Sequence, residues 1–207
     1  MITVAISRGR LLNEASVLLK KAGFSVGELL DDSRKLIFEY PEDGIKALIV
    51  RTTDVPAYVE YGAADCGIVG KDTLIEEKND LYEPLDLKIG KCKLVVAAPK
   101  GFDFSSARIL RVATKYPRIA NQYFAKKGIG AEIVKLYGSV ELAPIVGLSD
   151  VIVDLTATGE TLRKNRLFVI ETIADITARL VVNRVSMKVK SGEIKEFIRK
   201  LKEVRDV

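Results

Sequence analysis

The chain opens on a run of β-prone apolar residues, Ile2 to Ile6, and then changes period. Leu11, Leu12, Ala15, Leu18 and Leu19 recur at three- and four-residue spacing. The first block predicts a strand and the second an amphipathic helix that stops at Gly23. Lys35 to Tyr40 and Ile45 to Arg51 read as two strands around the turn Pro41-Glu42-Asp43-Gly44. Asp54 then caps a short helix with Pro56 in its first turn, ending at Gly62. Cys66 to Val69 is a buried strand, and Asp72 caps a helix from Thr73 to Lys78.

The same alternation resumes after Gly90. Strands are expected at Leu94 to Ala98, Arg111 to Thr114, Ala131 to Leu136 and Val151 to Asp154. Helices are expected at Arg118 to Lys127 and Val140 to Gly147. Val169 to Ile173 and Leu180 to Asn183 look extended, and Gly192 to Val204 is an amphipathic helix. No internal repeat or low-complexity stretch interrupts this order. Strand–helix alternation predicts an α/β fold with mainly parallel sheets. Pro84 and Gly90 make Glu83 to Lys93 a crossing between two lobes. With a return near Ala174 to Thr177, the expected division is residues 1–89 plus 175–207 for the first lobe and 90–174 for the second. A ligand is expected in the cleft between them.

Chemistry concentrates in Val151 to Leu162, V-I-V-D-L-T-A-T-G-E-T-L. An apolar strand, a small-residue loop and a helix starting near Glu160 make an anion cradle, with backbone N–H groups and the helix dipole favouring negative charge. Gly159 permits close backbone approach, and Thr156, Thr158 and Thr161 carry hydroxyl donors. Asp154 can accept from sugar hydroxyls or hold a metal through water. Together these residues predict a site for a phosphorylated sugar. The plainer alternative is an ordinary strand–turn–helix junction capped by threonine. The loop is neither a Walker loop nor a dinucleotide fingerprint, since neither G-K-[ST] nor G-x-G-x-x-G is present.

Composition narrows the chemistry. The chain has no histidine, so its commonest general base is missing, and with two cysteines outside any C-x-x-C pair a zinc site is not expected. Cys66 and Cys92 read as reduced thiols. The net charge of +5 suits a polyanionic small substrate. The densest basic stretch, Lys195 to Arg205, is interleaved with glutamates and lacks stacking aromatics, so nucleic acid is not the expected partner. No apolar run reaches membrane-spanning length, and Met1 to Ser7 has no signal-peptide character, giving a cytoplasmic expectation.

Three motifs then point to one family. Glu141, Gly147, Ser149, Ile152, Asp154, Leu155, Thr158, Gly159, Thr161 and Leu162 keep the spacing of its signature. S-R-G-R-L, Ser7 to Leu11, and R-T-T-D-V-P-A-Y-V-E-Y-G-A-A-D-C-G-I-V-G-K-D, Arg51 to Asp72, follow in the same order. The chain resembles the short form of ATP phosphoribosyltransferase. The resemblance implies the two-lobe fold of type II periplasmic solute-binding proteins. It also implies transfer of phosphoribose from phosphoribosyl pyrophosphate (PRPP) to ATP, the first step of histidine biosynthesis, with a magnesium requirement. A chain ending at Val207, after its amphipathic helix, matches the short form, which lacks a histidine-binding domain. That form pairs with a regulatory subunit resembling histidyl-tRNA synthetase and is expected as a homodimer within a larger hetero-oligomer. One departure stands out: the common phosphoribosyltransferase loop has two adjacent acids, whereas here Leu155 follows Asp154.

Roles follow as expectations. Thr156, Ala157, Thr158, Gly159, Glu160 and Thr161 hold the 5-phosphate of PRPP, and Asp154 orients the ribose hydroxyls. Arg10 and Arg51 bind ATP phosphates or the leaving pyrophosphate, with Arg8, Gly9 and Asp72 as further nucleotide contacts. Arg51 and Asp154 are the expected catalytic residues. Magnesium is expected on substrate oxygens and water rather than on a protein cage. Simpler readings exist for several: an Arg51–Asp54 ion pair, a surface Arg10, a capping Asp72, a structural Glu141, and Arg34 in a solvated loop. The rival functions are a two-lobe binding or sensory module for a phosphorylated ligand and a nucleotide-sensing regulator.

Overall fold

The computed structural model describes residues 1–30, 35–104 and 109–206. The chain divides into two compact units, Met1–Gly90 with Thr177–Val207, and Lys91–Ile176.

In the first unit β1 (Ile2–Ser7) leads into helix α1 (Arg10–Lys21), then β2 (Ile37–Tyr40), β3 (Ile45–Val50), α2 (Val55–Glu60), β4 (Cys66–Gly70), α3 (Lys71–Glu77) and β5 (Tyr82–Asp86). The second unit holds β6 (Cys92–Pro99), β7 (Leu110–Thr114), α4 (Pro117–Lys126), β8 (Ala131–Lys135), α5 (Leu142–Ile145), β9 (Val151–Thr156), α6 (Glu160–Lys164) and β10 (Leu167–Ile176). The chain then re-enters the first unit as β11 (Ala178–Val182), α7 (Ser186–Val189) and α8 (Ser191–Val204).

Strand order is β2-β3-β1-β4-β11-β5 in one sheet and β10-β6-β9-β7-β8 in the other. Both sheets are mixed, which corrects the expectation of mainly parallel pairing. β3-β1-β4 and β9-β7-β8 are parallel, while β2, β11, β5, β6 and β10 pair antiparallel. A buried apolar run reads alike in either direction, so periodicity could not separate them.

β1 shows how sequence builds the first core. Ile2, Val4 and Ile6 face a cluster completed by Leu18 and Leu19 of α1 and Ile194, Phe197 and Leu201 of α8. Ala5, on the opposite face, packs with Val55 and Val59 of α2, Val69 and Val181. A helix on each side lets this strand bury apolar residues on both faces.

Three further expectations shift. β5 lies within the stretch read as a crossing, its Pro84 tolerated because the strand is at the sheet edge. The helix expected from Val140 to Gly147 is reduced to Leu142–Ile145, with Pro144 inside it. β10 is twice the length of the extended segment expected there. It is an edge strand with register shifts between Val169 and Glu171 and between Thr172 and Ala174. Bulges of this kind are a common way to roughen an exposed edge.

Candidate functional site

β9 lies inside its sheet, antiparallel to β6 and parallel to β7, which buries Val151, Ile152 and Val153. The strand runs two residues beyond Asp154, pairing Leu155 with Leu94 and Thr156 with Lys93. The loop is therefore only Ala157, Thr158 and Gly159. Asp154 is half-buried, and one of its carboxylate oxygens accepts the Leu155 N–H at 2.8 Å. Glu141 and residues Leu155 to Leu162 line a hollow of about 160 Å³. All the residues expected to hold a phosphate are thus gathered on one concavity.

Within the loop, Gly159 adopts φ +72°, a conformation that an L side chain rarely takes. Its N–H donates to Thr156 Oγ1 at 2.9 Å, so this amide is spent inside the loop rather than offered to a ligand. The Thr156 hydroxyl hydrogen is still able to donate outward, because a hydroxyl accepts and donates at once. Thr158 and Thr161 are exposed. Glu160 forms an exposed ion pair with Lys164 at 2.8 Å, which offsets its negative charge at the rim of the hollow. Helix α6 has five residues, so its dipole is smaller than the sequence implied, and the cradle depends chiefly on hydroxyls. Arg163, which motif reading passed over, donates from Nη1 to the Thr158 carbonyl at 3.0 Å. The available signal was its place one helical turn past the glycine.

The second set of expected residues lies in the first unit. Sheet order turns at β1, which has β3 on one side and β4 on the other, all parallel. The carboxyl ends of strands at such a switch point are where open α/β sheets bind ligands. Here they carry Arg8, Gly9 and Arg10 after β1, Arg51 after β3, and Lys71 and Asp72 after β4. The Arg8 N–H bonds the Val50 carbonyl at 3.0 Å, bringing the first two segments together.

These positions differ in what they can reach. Arg51 is exposed and makes no ion pair among the described residues. The Arg51–Asp54 alternative is not formed; Asp54 accepts the Thr53 hydroxyl at 3.1 Å, and its N–H bonds the Arg51 carbonyl. Arg10 approaches Glu14 at 3.5 Å, and Glu14 also accepts the Gly90 N–H. Asp72 is buried at 4% exposure. It lies in the first turn of α3 rather than at the cap, which is Gly70, and a Cβ on Gly70 would come within 2.1 Å of Asp72 Oδ1. The carboxylate thus folds back over the backbone, and burial limits the direct nucleotide contact expected of it. Arg34 lies outside the described residues.

Among the described residues no group of three or more His, Cys, Asp or Glu is placed to hold a metal ion, and no helix is long and apolar enough to cross a membrane. Cys66 and Cys92 are not joined in a disulfide; burial, and next the Asp65 charge, push the Cys66 thiol up to about 12. That thiol is unreactive at neutral pH.

Comparison with known proteins shows the family. The HisG family model, described as ATP phosphoribosyltransferase, matches residues 51–203. An ATP phosphoribosyltransferase 2 from Geobacter sulfurreducens is 58% identical over 201 residues, covering 95% of each chain. An ATP phosphoribosyltransferase from Caldanaerobacter subterraneus is 56% identical over 204 residues, covering 99% of this chain and 97% of its own. Among solved structures, a chain of the ATP phosphoribosyl transferase (HisG:HisZ) complex from Thermotoga maritima matches with a TM-score of 0.85 at 38% identity, covering 100% of this chain and 99% of that one. The alkanesulfonate-binding protein SsuA from Xanthomonas axonopodis shares the fold alone, with a TM-score of 0.61 at 12% identity over 98% of this chain and 72% of that one. Signature loop, switch-point arginines and full-length similarity converge: the chain belongs to the ATP phosphoribosyltransferase family.

Proposed function

We infer that this chain is the catalytic ATP phosphoribosyltransferase of histidine biosynthesis, joining ATP to PRPP to give N1-(5-phosphoribosyl)-ATP and pyrophosphate. The observation that carries the site is the hydroxyl-lined hollow at the end of β9, built from the family signature in a chain that is similar to these enzymes along its whole length. We assign PRPP to the second unit and ATP to the first. The hydroxyls of Thr156, Thr158 and Thr161 hold the 5-phosphate, with Ala157, Gly159 and the Glu160 backbone shaping the cradle. Asp154 orients the ribose hydroxyls.

The adenine N1 displaces pyrophosphate from the anomeric carbon through an oxocarbenium-like transition state. A neutral ring nitrogen is already nucleophilic, so the absence of histidine is no obstacle. Rate enhancement comes from positioning and from stabilising charge on the leaving group. Arg51 is the chief candidate for the second task, being exposed and outside any ion pair among the described residues, and a guanidinium fork matches phosphate oxygens. Arg10 and Arg8 contact the nucleotide phosphates beside Gly9. Asp72, whose carboxylate lies against Gly70, shapes the turn into α3 that faces the nucleotide.

The reaction uses a metal ion, which we take to be magnesium. The donors that fit it are pyrophosphate oxygens and water, with the Asp154 carboxylate reaching it through water. Held there, such an ion would supply charge neutralisation for the leaving pyrophosphate. We place the chain in the cytoplasm, where unbridged thiols persist, and propose a HisZ-type regulatory subunit and a homodimeric core as its partners.

Pyrophosphate release from ATP and PRPP with magnesium tests the reading, on the chain alone and with its regulatory subunit. Turnover accompanied by the ultraviolet change of N1-substituted ATP is the expected result. Binding without turnover in both preparations would make the chain a ligand-sensing module instead.

A further inference from the structure

The peptide between Thr158 and Gly159 is held at both ends. Its carbonyl accepts from Arg163 Nη1 at 3.0 Å, and its N–H donates to Thr156 Oγ1 at 2.9 Å. Arg163 is also close over Gly159, where a Cβ would come within 3.0 Å of Nη1. Unlike its neighbour Lys164, which pairs with Glu160, Arg163 makes no ion pair among the described residues. The lining of the hollow, Glu141 and Leu155 to Leu162, stops one residue short of it. Arg163 thus reaches the loop from outside the concavity.

That arrangement answers a difficulty the loop creates for itself. A peptide next to glycine turns over at little steric cost, because glycine accepts either sign of φ. Turning this one would swing the Thr158 carbonyl oxygen from its anchor towards the anion the loop is built to receive. A charged donor on that carbonyl is a strong form of hydrogen bond and opposes the turn. We propose that Arg163 is a positioning residue for PRPP: it locks the Thr158–Gly159 peptide with its carbonyl directed away from the phosphate. The inference rests on reading the loop as the PRPP site.

The test compares Arg163→Met and Arg163→Lys with the unaltered chain, in complex with the regulatory subunit, by calorimetric titration with PRPP and with ATP and by steady-state kinetics. Arg163→Met keeps an unbranched stem and helix propensity but removes every donor. It is expected to weaken PRPP binding and raise KM for PRPP by about tenfold, the effect of losing one charge-assisted hydrogen bond. KM for ATP and the melting temperature should not move, and Arg163→Lys, which retains a charged donor, should restore most of the PRPP affinity. PRPP affinity in Arg163→Met equal to that of the unaltered chain would overturn the proposal. So would an equal loss for both substrates, or, where Arg163→Met does not fold, a folded Arg163→Gln, which lacks the charge, with PRPP affinity equal to that of the unaltered chain. An unaltered chain that binds ATP but not PRPP would remove the loop reading itself.

Discussion

Arg51 and Gly67 represent two kinds of residue in one motif, and substitution separates them. Arg51 is exposed after β3 with no ion pair among the described residues, so the fold gains little from its charge. Arg51→Ala is expected to lower kcat by roughly 10²-fold, the order found when one donor to a developing negative charge is lost, with the urea midpoint unchanged. A normal rate would remove Arg51 from the mechanism. Gly67 lies inside β4, where a Cβ would meet Val55 Cγ1 and Val59 Cγ2 at 2.8 Å each. Both valines are fully buried on the face that α2 packs against the sheet, so neither yields easily. Gly67→Ala is expected to destabilise by about 1–3 kcal/mol, the cost of overpacking a closed core. Urea denaturation measures it, and an unchanged midpoint would show that α2 shifts freely off the sheet. The arginine and the glycine look equally like motif letters in the sequence; only burial distinguishes the one the solvent reaches from the one the core encloses.

Among elements, the junction that closes the first unit depends on Asp65, just before β4. Its carboxylate accepts the Thr3 N–H at 2.8 Å, the Ser186 hydroxyl at 2.7 Å and the Lys190 ammonium at 2.7 Å, joining β1 to α7 and the start of α8. Burial works to raise its pKa, but Lys190 and the two neutral donors together hold it below the usual carboxylate range. Asp65→Ala orphans all three donors and is expected to cost about 2–3 kcal/mol in chemical denaturation, more than Lys190→Met, which removes one donor and leaves two. Equal costs would mean that the ion pair alone matters. Nothing local in the sequence announces this junction, since its partners lie 62 to 125 positions apart. By contrast, β1, α1 and α8 were legible because each has an uninterrupted period and a buried face. β5 was hidden by Pro84, and the length of β10 was hidden because an edge strand exposes Phe168, Val169 and Ile170 together. The strand–loop–helix hollow at Leu155 to Leu162 was legible because its residues are contiguous. Asp72's burial was not, because it depends on the absence of a side chain at Gly70.

Over the whole molecule, charge and topology each yield an expectation. Asp65 and Asp150 both have lowered pKa values. For Asp65 burial is opposed by the Lys190, Thr3 and Ser186 bonds, and for Asp150 the Arg111 hydrogen bond leads. A carboxylate with a depressed folded pKa stabilises fully above its unfolded pKa, near 4, and loses that contribution as pH falls through the folded value. Cys66 is raised to about 12, so its contribution is complete below the ordinary thiol pKa and is lost as pH rises from there towards the folded value. With no histidine in the chain, nothing of that kind titrates between these limits. The melting temperature should therefore be flat from about pH 5 to 8 and fall on both sides, with Cys66→Ala flattening the alkaline limb; a step near pH 6.5 would contradict it. Topology makes the two units unequal. All five strands of the second sheet come from the continuous segment Lys91–Ile176, which also supplies its own core around Val95, Ala113, Ile152 and Leu167. The first unit depends on the returning chain: β11 pairs with both β4 and β5, and α8 brings Ile194, Phe197 and Leu201 to the core. A fragment of residues 91–176 should melt cooperatively by itself and retain weak PRPP binding, because every ladder and the whole loop lie within it. A fragment of residues 1–90 should show no cooperative transition, because without β11 its edge strand has no partner and one apolar face of its sheet stays open to water. Calorimetry on both fragments decides the matter, and a cooperative melt from residues 1–90 would mean that the returning segment completes the sheet without being needed to hold it.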